Sequence, residues 1–103
     1  LQFGPVNNIQ SLPERIRWTG GVLDTTNFSG IRDLNGLDIR IDNINIRAVG
    51  NAIDFGYFAK RVAIINSSLY GENFPVMGAG YRSDGYAMED IIFALIRFIL
   101  NLL

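Results

Sequence analysis

One apolar pattern occurs three times along the chain at a spacing of 23 residues. In segments 16–23, 39–46 and 62–69, apolar residues alternate, the phase slips by one residue at a corner, and the alternation resumes. The positions in register are Ile16, Ile39 and Val62; Trp18, Ile41 and Ile64; Gly20, Asn43 and Asn66; Leu23, Ile46 and Leu69. Alternation indicates strands with one buried face. A repeat of this kind predicts stacked units that bury a continuous core together.

Stacking of the repeats predicts a parallel sheet whose neighbouring strands lie about 4.8 Å apart. Like residues then lie on like residues, with isoleucine against isoleucine or valine. Asn43 and Asn66 are expected to form a ladder of side-chain amides inside the corner, because each amide both donates and accepts hydrogen bonds.

These residues resemble the right-handed parallel β-helix family, the pectin-lyase-like fold that also occurs in viral tailspikes. The resemblance lies in Ile39-x-Ile41-x-Asn43-Ile44-x-Ile46 and in Val62-x-Ile64-Ile65-Asn66-x-x-Leu69-x-Gly71. It implies a mainly β fold of about three 23-residue coils. It covers roughly residues 15–78 and is a pattern of the fold. No catalytic motif of the family maps onto this sequence.

The same stretch permits an alternative. Asp42-Asn43 suits a two-residue hairpin turn. Ile41 would then face Ile44, and Asp38 would pair with Arg47 across antiparallel strands. This interpretation predicts an α+β domain with antiparallel hairpins and one helix.

The C-terminal segment predicts that helix. Ser83-Asp84 suits an N-cap, and residues 91–103 are apolar except for Arg97 and Asn101. Such a helix would be about 20 Å long, too short to span a membrane. We therefore expect one domain over 1–103: a lead-in or cap at 1–14, β coils at 15–80 and an apolar helix at 84–103. The helix either caps the coils or mediates self-association, and the residues expected at a homo-oligomer interface are Ile91, Ile92, Leu95, Phe98 and Ile99.

Composition excludes several kinds of chemistry. The chain has no His and no Cys, which removes thiolate chemistry, His-based triads and most metal sites. We expect no metal and no cofactor. A formal net charge of −1 argues against nucleic-acid binding, which normally needs a basic face.

Charged side chains on the outer face are the remaining candidates. The 23-residue register places Arg17 beside Arg40, and it places Arg47 between Asp24 and Tyr70. Because arginine presents a fixed fork to carboxylates, an acidic sugar is the expected ligand. The predicted ligand-binding residues are Arg17, Arg40, Arg47, Asp54 and Tyr70. No two carboxylates stack in this register, which argues against a paired-carboxylate glycosidase, and no catalytic residue is assigned.

The expected function is a structural or recognition module of a fibre, tailspike, adhesin or virion-like assembly. Such a module would self-associate, bind a glycan and occur outside cells or on a virion surface. The alternative is an enzyme, a polysaccharide lyase or glycoside hydrolase, or a fragment of one. We favour the non-enzymatic interpretation because the chain is short and lacks a stacked carboxylate pair.

Overall fold

A computed structural model describes residues 14–77 and 88–99. Five strands occur in this part of the chain: β1 Arg17–Asp24, β2 Ser29–Ala48, β3 Asn51–Gly71, β4 Phe74–Met77 and β5 Met88–Ile99. They form a single sheet in which β1, β2, β3 and β4 are neighbours in that order, and β5 also pairs with β3. Every pairing between these strands is parallel.

The predicted 23-residue register is confirmed. Trp18 lies beside Ile41, and Ile41 lies beside Ile64. Ile41 therefore stacks on the next strand along the sheet rather than facing Ile44 across a hairpin. The antiparallel α+β alternative is wrong, because the described residues contain only parallel pairings and no helix.

The long strands curl. Twenty residues of straight strand would extend about 66 Å, whereas the longest dimension of the molecule is 39 Å. Sharp bends make up the difference: in β2, residues Asp33, Asp38 and Asn43 have φ values between 52° and 58°. This left-handed conformation is uncommon outside glycine and is best tolerated by Asn and Asp. We call each curled strand a rung: β1 is rung 1, β2 rung 2, β3 rung 3, and β4 with β5 is rung 4.

The corner asparagines act through the backbone rather than through a ladder. Asn43 and Asn66 have φ values of 58° and 50°, and both are exposed to solvent. The predicted amide ladder inside the corner is therefore wrong. Asparagine suits this position because its short polar side chain tolerates positive φ.

The core lies on the concave side of rungs 2 and 3. In residues 39–48 and 62–70, buried side chains alternate with more exposed ones, as expected for strands with one face in the core. The largest fully buried apolar side chains of the core are Ile31, Leu34, Ile39, Ile41, Ile44, Ile53, Ile64, Leu69 and Val62. Side chains of rungs 1 and 4 pack against this core from both ends and are only partly buried.

The predicted C-terminal helix is the main error in the expected fold class. Residues Met88–Ile99 form a strand that pairs with β3 in parallel, with Val62 beside Ile91 and Leu69 beside Phe98. The physical reason is visible in the spacing of apolar residues: 91, 93, 96 and 98 repeat the pattern of 39, 41, 44 and 46. The offset from β3 to β5 is 29 residues instead of 23, so a constant 23-residue period does not predict this strand. The sheet therefore has a fourth rung. The predicted fold of three coils followed by a helix is wrong.

Other sequence predictions fall outside the described residues. These are the lead-in at 1–13 and the segments of the predicted helix at 84–87 and 100–103. Within the described residues, no helix is long and apolar enough to cross a membrane.

Candidate functional site

The outer face of the last segment of each rung forms a shallow groove of about 420 Å³. Two columns of side chains cross it, because residues on either side of an inward-facing residue point outward. One column contains Val22, Asn45, Ser68 and Arg97, and the other contains Asp24, Arg47, Tyr70 and Ile99. All four rungs therefore contribute to the lining, and the buried Ile46 lies between the columns.

Arg47 is the best-positioned polar group of the groove. Its guanidinium carbon lies 4.7 Å from the centre of the Tyr70 ring, a cation–π contact that fixes the side chain over the ring. Among residues 14–77 and 88–99, no carboxylate lies within ion-pair distance of Arg47. Its hydrogen-bonding fork thus remains available for an anionic group.

Two of the predicted ligand-binding residues, Arg47 and Tyr70, meet in this groove. Arg17 and Arg40 are neighbours as predicted, but they lie outside the groove lining. Arg17 also binds Asp38, with 3.0 Å between Nη2 and Oδ1, and donates to the Asp38 carbonyl at 2.8 Å. That pair of arginines is therefore partly engaged within the protein.

Asp54 lies elsewhere, near the first corner of the rungs, and Asp33 is its neighbour. Burial raises the pKa of Asp54, and the negative charge of Asp33 raises it further. Both residues are partly buried. An ion pair joins Asp33 to Arg32, with 3.7 Å between Oδ2 and Nε.

The register explains why this carboxylate pair was missed. Ile31 lies beside Ile53, Leu34 beside Phe55 and Gly36 beside Ala59, with two register shifts between them. These shifts bring Asp33 toward Asp54, whereas a constant 23-residue spacing separates the two. The prediction that no two carboxylates stack was made for a constant 23-residue register, and that register does not describe this irregular segment.

A buried amide stabilises the irregular segment. The Nδ2 group of Asn35 donates to the Asp33 carbonyl at 3.0 Å, and its Oδ1 accepts from the backbone N–H of Phe58 at 3.1 Å. The amide packs against Gly56, where a Cβ atom would overlap it. This side chain compensates backbone groups where the strand pairing is interrupted, as a buried polar backbone requires.

Sequence reasoning missed Asn45, Ser68 and Arg97 as groove residues. It missed Arg97 because residues 84–103 were assigned to a helix. Its place follows from the apolar spacing in β5, which aligns it with Ser68. Among the described residues, no group of three or more carboxylates could hold a metal ion.

No protein-family model, curated protein or solved structure matches the chain. These comparisons therefore identify neither a pectin-lyase-like nor a tailspike fold.

Proposed function

We propose that the groove binds an acidic carbohydrate. The position of the Arg47 guanidinium over the Tyr70 ring supports this most strongly, since it orients a fork suited to a carboxylate. Asn45 and Ser68 add amide and hydroxyl groups that match sugar hydroxyls, and Arg97 adds a second positive charge. A hydrogen bond to a charged group contributes about 1.5–3 kcal/mol.

Titration with oligogalacturonides, monitored by calorimetry, tests the proposal, with neutral malto-oligosaccharides as the control ligand. Arg47→Gln should weaken acidic-sugar binding by about tenfold or more. Tyr70→Phe should retain most of it, because the ring remains. The matched control is Arg61→Gln, which removes an exposed arginine outside the groove. Equal affinity for neutral and acidic sugars, or equal effects of Arg47→Gln and Arg61→Gln, would contradict the proposal.

Cleavage of a polysaccharide is a second candidate function, and the Asp33–Asp54 pair favours it over a purely structural module. Because burial raises the pKa of Asp54, its carboxyl group keeps its proton to higher pH and suits a general acid. Asp54 would donate a proton to the leaving glycosidic oxygen. Asp33 would accept a proton from the water that attacks the anomeric carbon, and the two products would be the hydrolysed sugar ends.

Release of reducing ends from a panel of polysaccharides tests this candidate. Activity should disappear in both Asp54→Asn and Asp33→Asn, while Asp24→Asn, an exposed carboxylate at the groove, should retain it. If no polysaccharide is cleaved, or if both variants remain active, the hydrolase proposal is wrong and binding alone remains.

Self-association also remains a proposal, now through a strand rather than a helix. Of the five residues predicted at the interface, four are exposed on β5: Ile92, Leu95, Phe98 and Ile99. Ile91 instead packs partly against the core. An edge strand with exposed apolar side chains offers a template for pairing with another chain, and such a strand suits a module of a fibre or virion-like assembly.

A further inference from the structure

The two ends of the described stack carry the same apolar columns. Three columns of the core pass through rungs 2 and 3 and end in a side chain that is not fully buried at both sides. Their end residues are Ile16, which immediately precedes β1, with Ile91; Trp18 with Phe93; and Leu23 with Phe98. Within residues 14–77 and 88–99, β1 pairs only with β2, and β5 pairs only with β3.

A column of corner residues adds charge complementarity. Arg15, Asp38, Arg61 and Asp90 occupy equivalent corners, with φ values between 53° and 58°. Their charges alternate in sign from rung to rung. The next rung beyond Asp90 would continue the alternation if it had a positive residue at this corner. Arg15, at the opposite end of the stack, is a positive residue at the equivalent corner.

We propose that a second copy of this chain binds head-to-tail, with its β1 pairing in parallel with the outer edge of β5. Ile91 would lie on Ile16 of the neighbouring copy, and Asp90 on Arg15. This proposal rests on the proposed self-association and specifies its geometry. Because the two surfaces differ, each copy still presents one free end, so the assembly grows as an open chain unless its rotation closes a ring.

One contact in this register is unfavourable. Glu89 of one copy would lie on Glu14 of the next. Lys60 moderates it, since its Nζ atom lies 3.6 Å from Oε2 of Glu89. The like charge provides a useful test, because its removal should strengthen association rather than weaken it.

The decisive experiment uses two charge variants in sedimentation velocity across a concentration series. Asp90→Arg and Arg15→Asp should each raise the dissociation constant about tenfold by placing like charges at the junction. In an equimolar mixture, the new arginine at position 90 faces the new aspartate at position 15. At the other junction, the unchanged Asp90 of the Arg15→Asp copy faces the unchanged Arg15 of the Asp90→Arg copy. The mixture should therefore regain association with nearly wild-type affinity and form chains in which the two variants alternate.

Glu14→Lys is the control for misfolding as the cause of weaker association. It should tighten association severalfold, and an unfolded variant cannot do this. If the wild-type chain stays monomeric to millimolar concentration, the proposed self-association itself is wrong. If it associates but the two charge variants do not complement each other, or if each still forms a closed dimer, only the head-to-tail geometry is wrong.

Discussion

Rungs 3 and 4 carry the same apolar pattern, yet their side chains have different surroundings. In rung 3, Val62, Ile64 and Leu69 are fully buried between two neighbouring rungs. Their counterparts Ile91 and Phe93 in rung 4 are only partly buried, and Phe98 is 46% exposed. The comparison shows that an alternating pattern specifies a strand and its face, whereas burial depends on a neighbour on both sides.

The corners of the two rungs differ as well. Asn66 and Leu95 occupy the same position and have φ values of 50° and 53°. Asparagine tolerates this conformation, whereas leucine is disfavoured in it by its Cβ atom. Leu95 is also 83% exposed. Rung 4 therefore combines backbone strain with exposed apolar surface at one corner.

The largest expected effect separates the middle of the stack from its end. Ile39→Ala removes a side chain that is 1% exposed and should lower the free energy of unfolding by about 2–5 kcal/mol. Ile91→Ala, in the same column, should cost roughly half as much, because its side chain is already partly hydrated. Urea denaturation of both variants measures the difference. Equal losses would show that rung 4 is as well covered as rung 2.

Exchange of the corner residues tests the backbone contrast. Asn66→Leu should lower the free energy of unfolding by about 1–2 kcal/mol, because leucine is disfavoured at positive φ. Leu95→Asn should raise it by about 1 kcal/mol for the opposite reason. Thermal denaturation of the two variants provides the measurement. A destabilising Leu95→Asn would mean that Leu95 contributes apolar contacts that outweigh the strain.

The charge of Asp54 introduces a pH dependence into the middle rungs. Because its pKa is raised in the folded protein by burial and then by Asp33, the folded state retains a proton that the unfolded state has lost. The contribution of Asp54 to the free energy of unfolding should therefore fall as the pH rises above about 4, which is the ordinary pKa of an aspartate side chain. Asp54→Asn should remove that decline in urea denaturation between pH 4 and 7. Asp33→Asn should remove only the smaller part, since burial is the larger cause. If the free energy of unfolding of Asp54→Asn declines with pH as steeply as that of the wild type, another group causes the decline.

The smallest effect concerns the ion pair between rungs 1 and 2. Arg17 and Asp38 lie 3.0 Å apart, with side chains 51% and 36% exposed. An exposed pair contributes about 0–1 kcal/mol. Arg17→Gln should therefore cost less than 1 kcal/mol, and the cost should shrink in 1 M salt, where charges are screened. A loss of several kcal/mol that persists in high salt would indicate that Arg17 stabilises the end of the sheet by packing.

One column of the candidate groove was largely predictable from the sequence, because its neighbours follow from a constant register. Asp24, Arg47 and Tyr70 occupy equivalent positions in three successive repeats, and the structure places them side by side. Arg97 required recognition of the same apolar spacing after a longer connection. The Asp33–Asp54 pair was not predictable, since two register shifts in β2 and β3 bring it together.

Local spacing alone determined which apolar residues of 16–23, 39–46 and 62–69 face the core, and it determined the stacking of Ile41 on Ile64. The reason is that alternation and corner position act over a few residues and repeat unchanged. The tertiary structure decided the rest. A long apolar run such as residues 91–99 suits either a helix or a strand by composition. The open edge of β3 is the partner that makes it a strand, because pairing there satisfies backbone hydrogen bonds and covers the core at once.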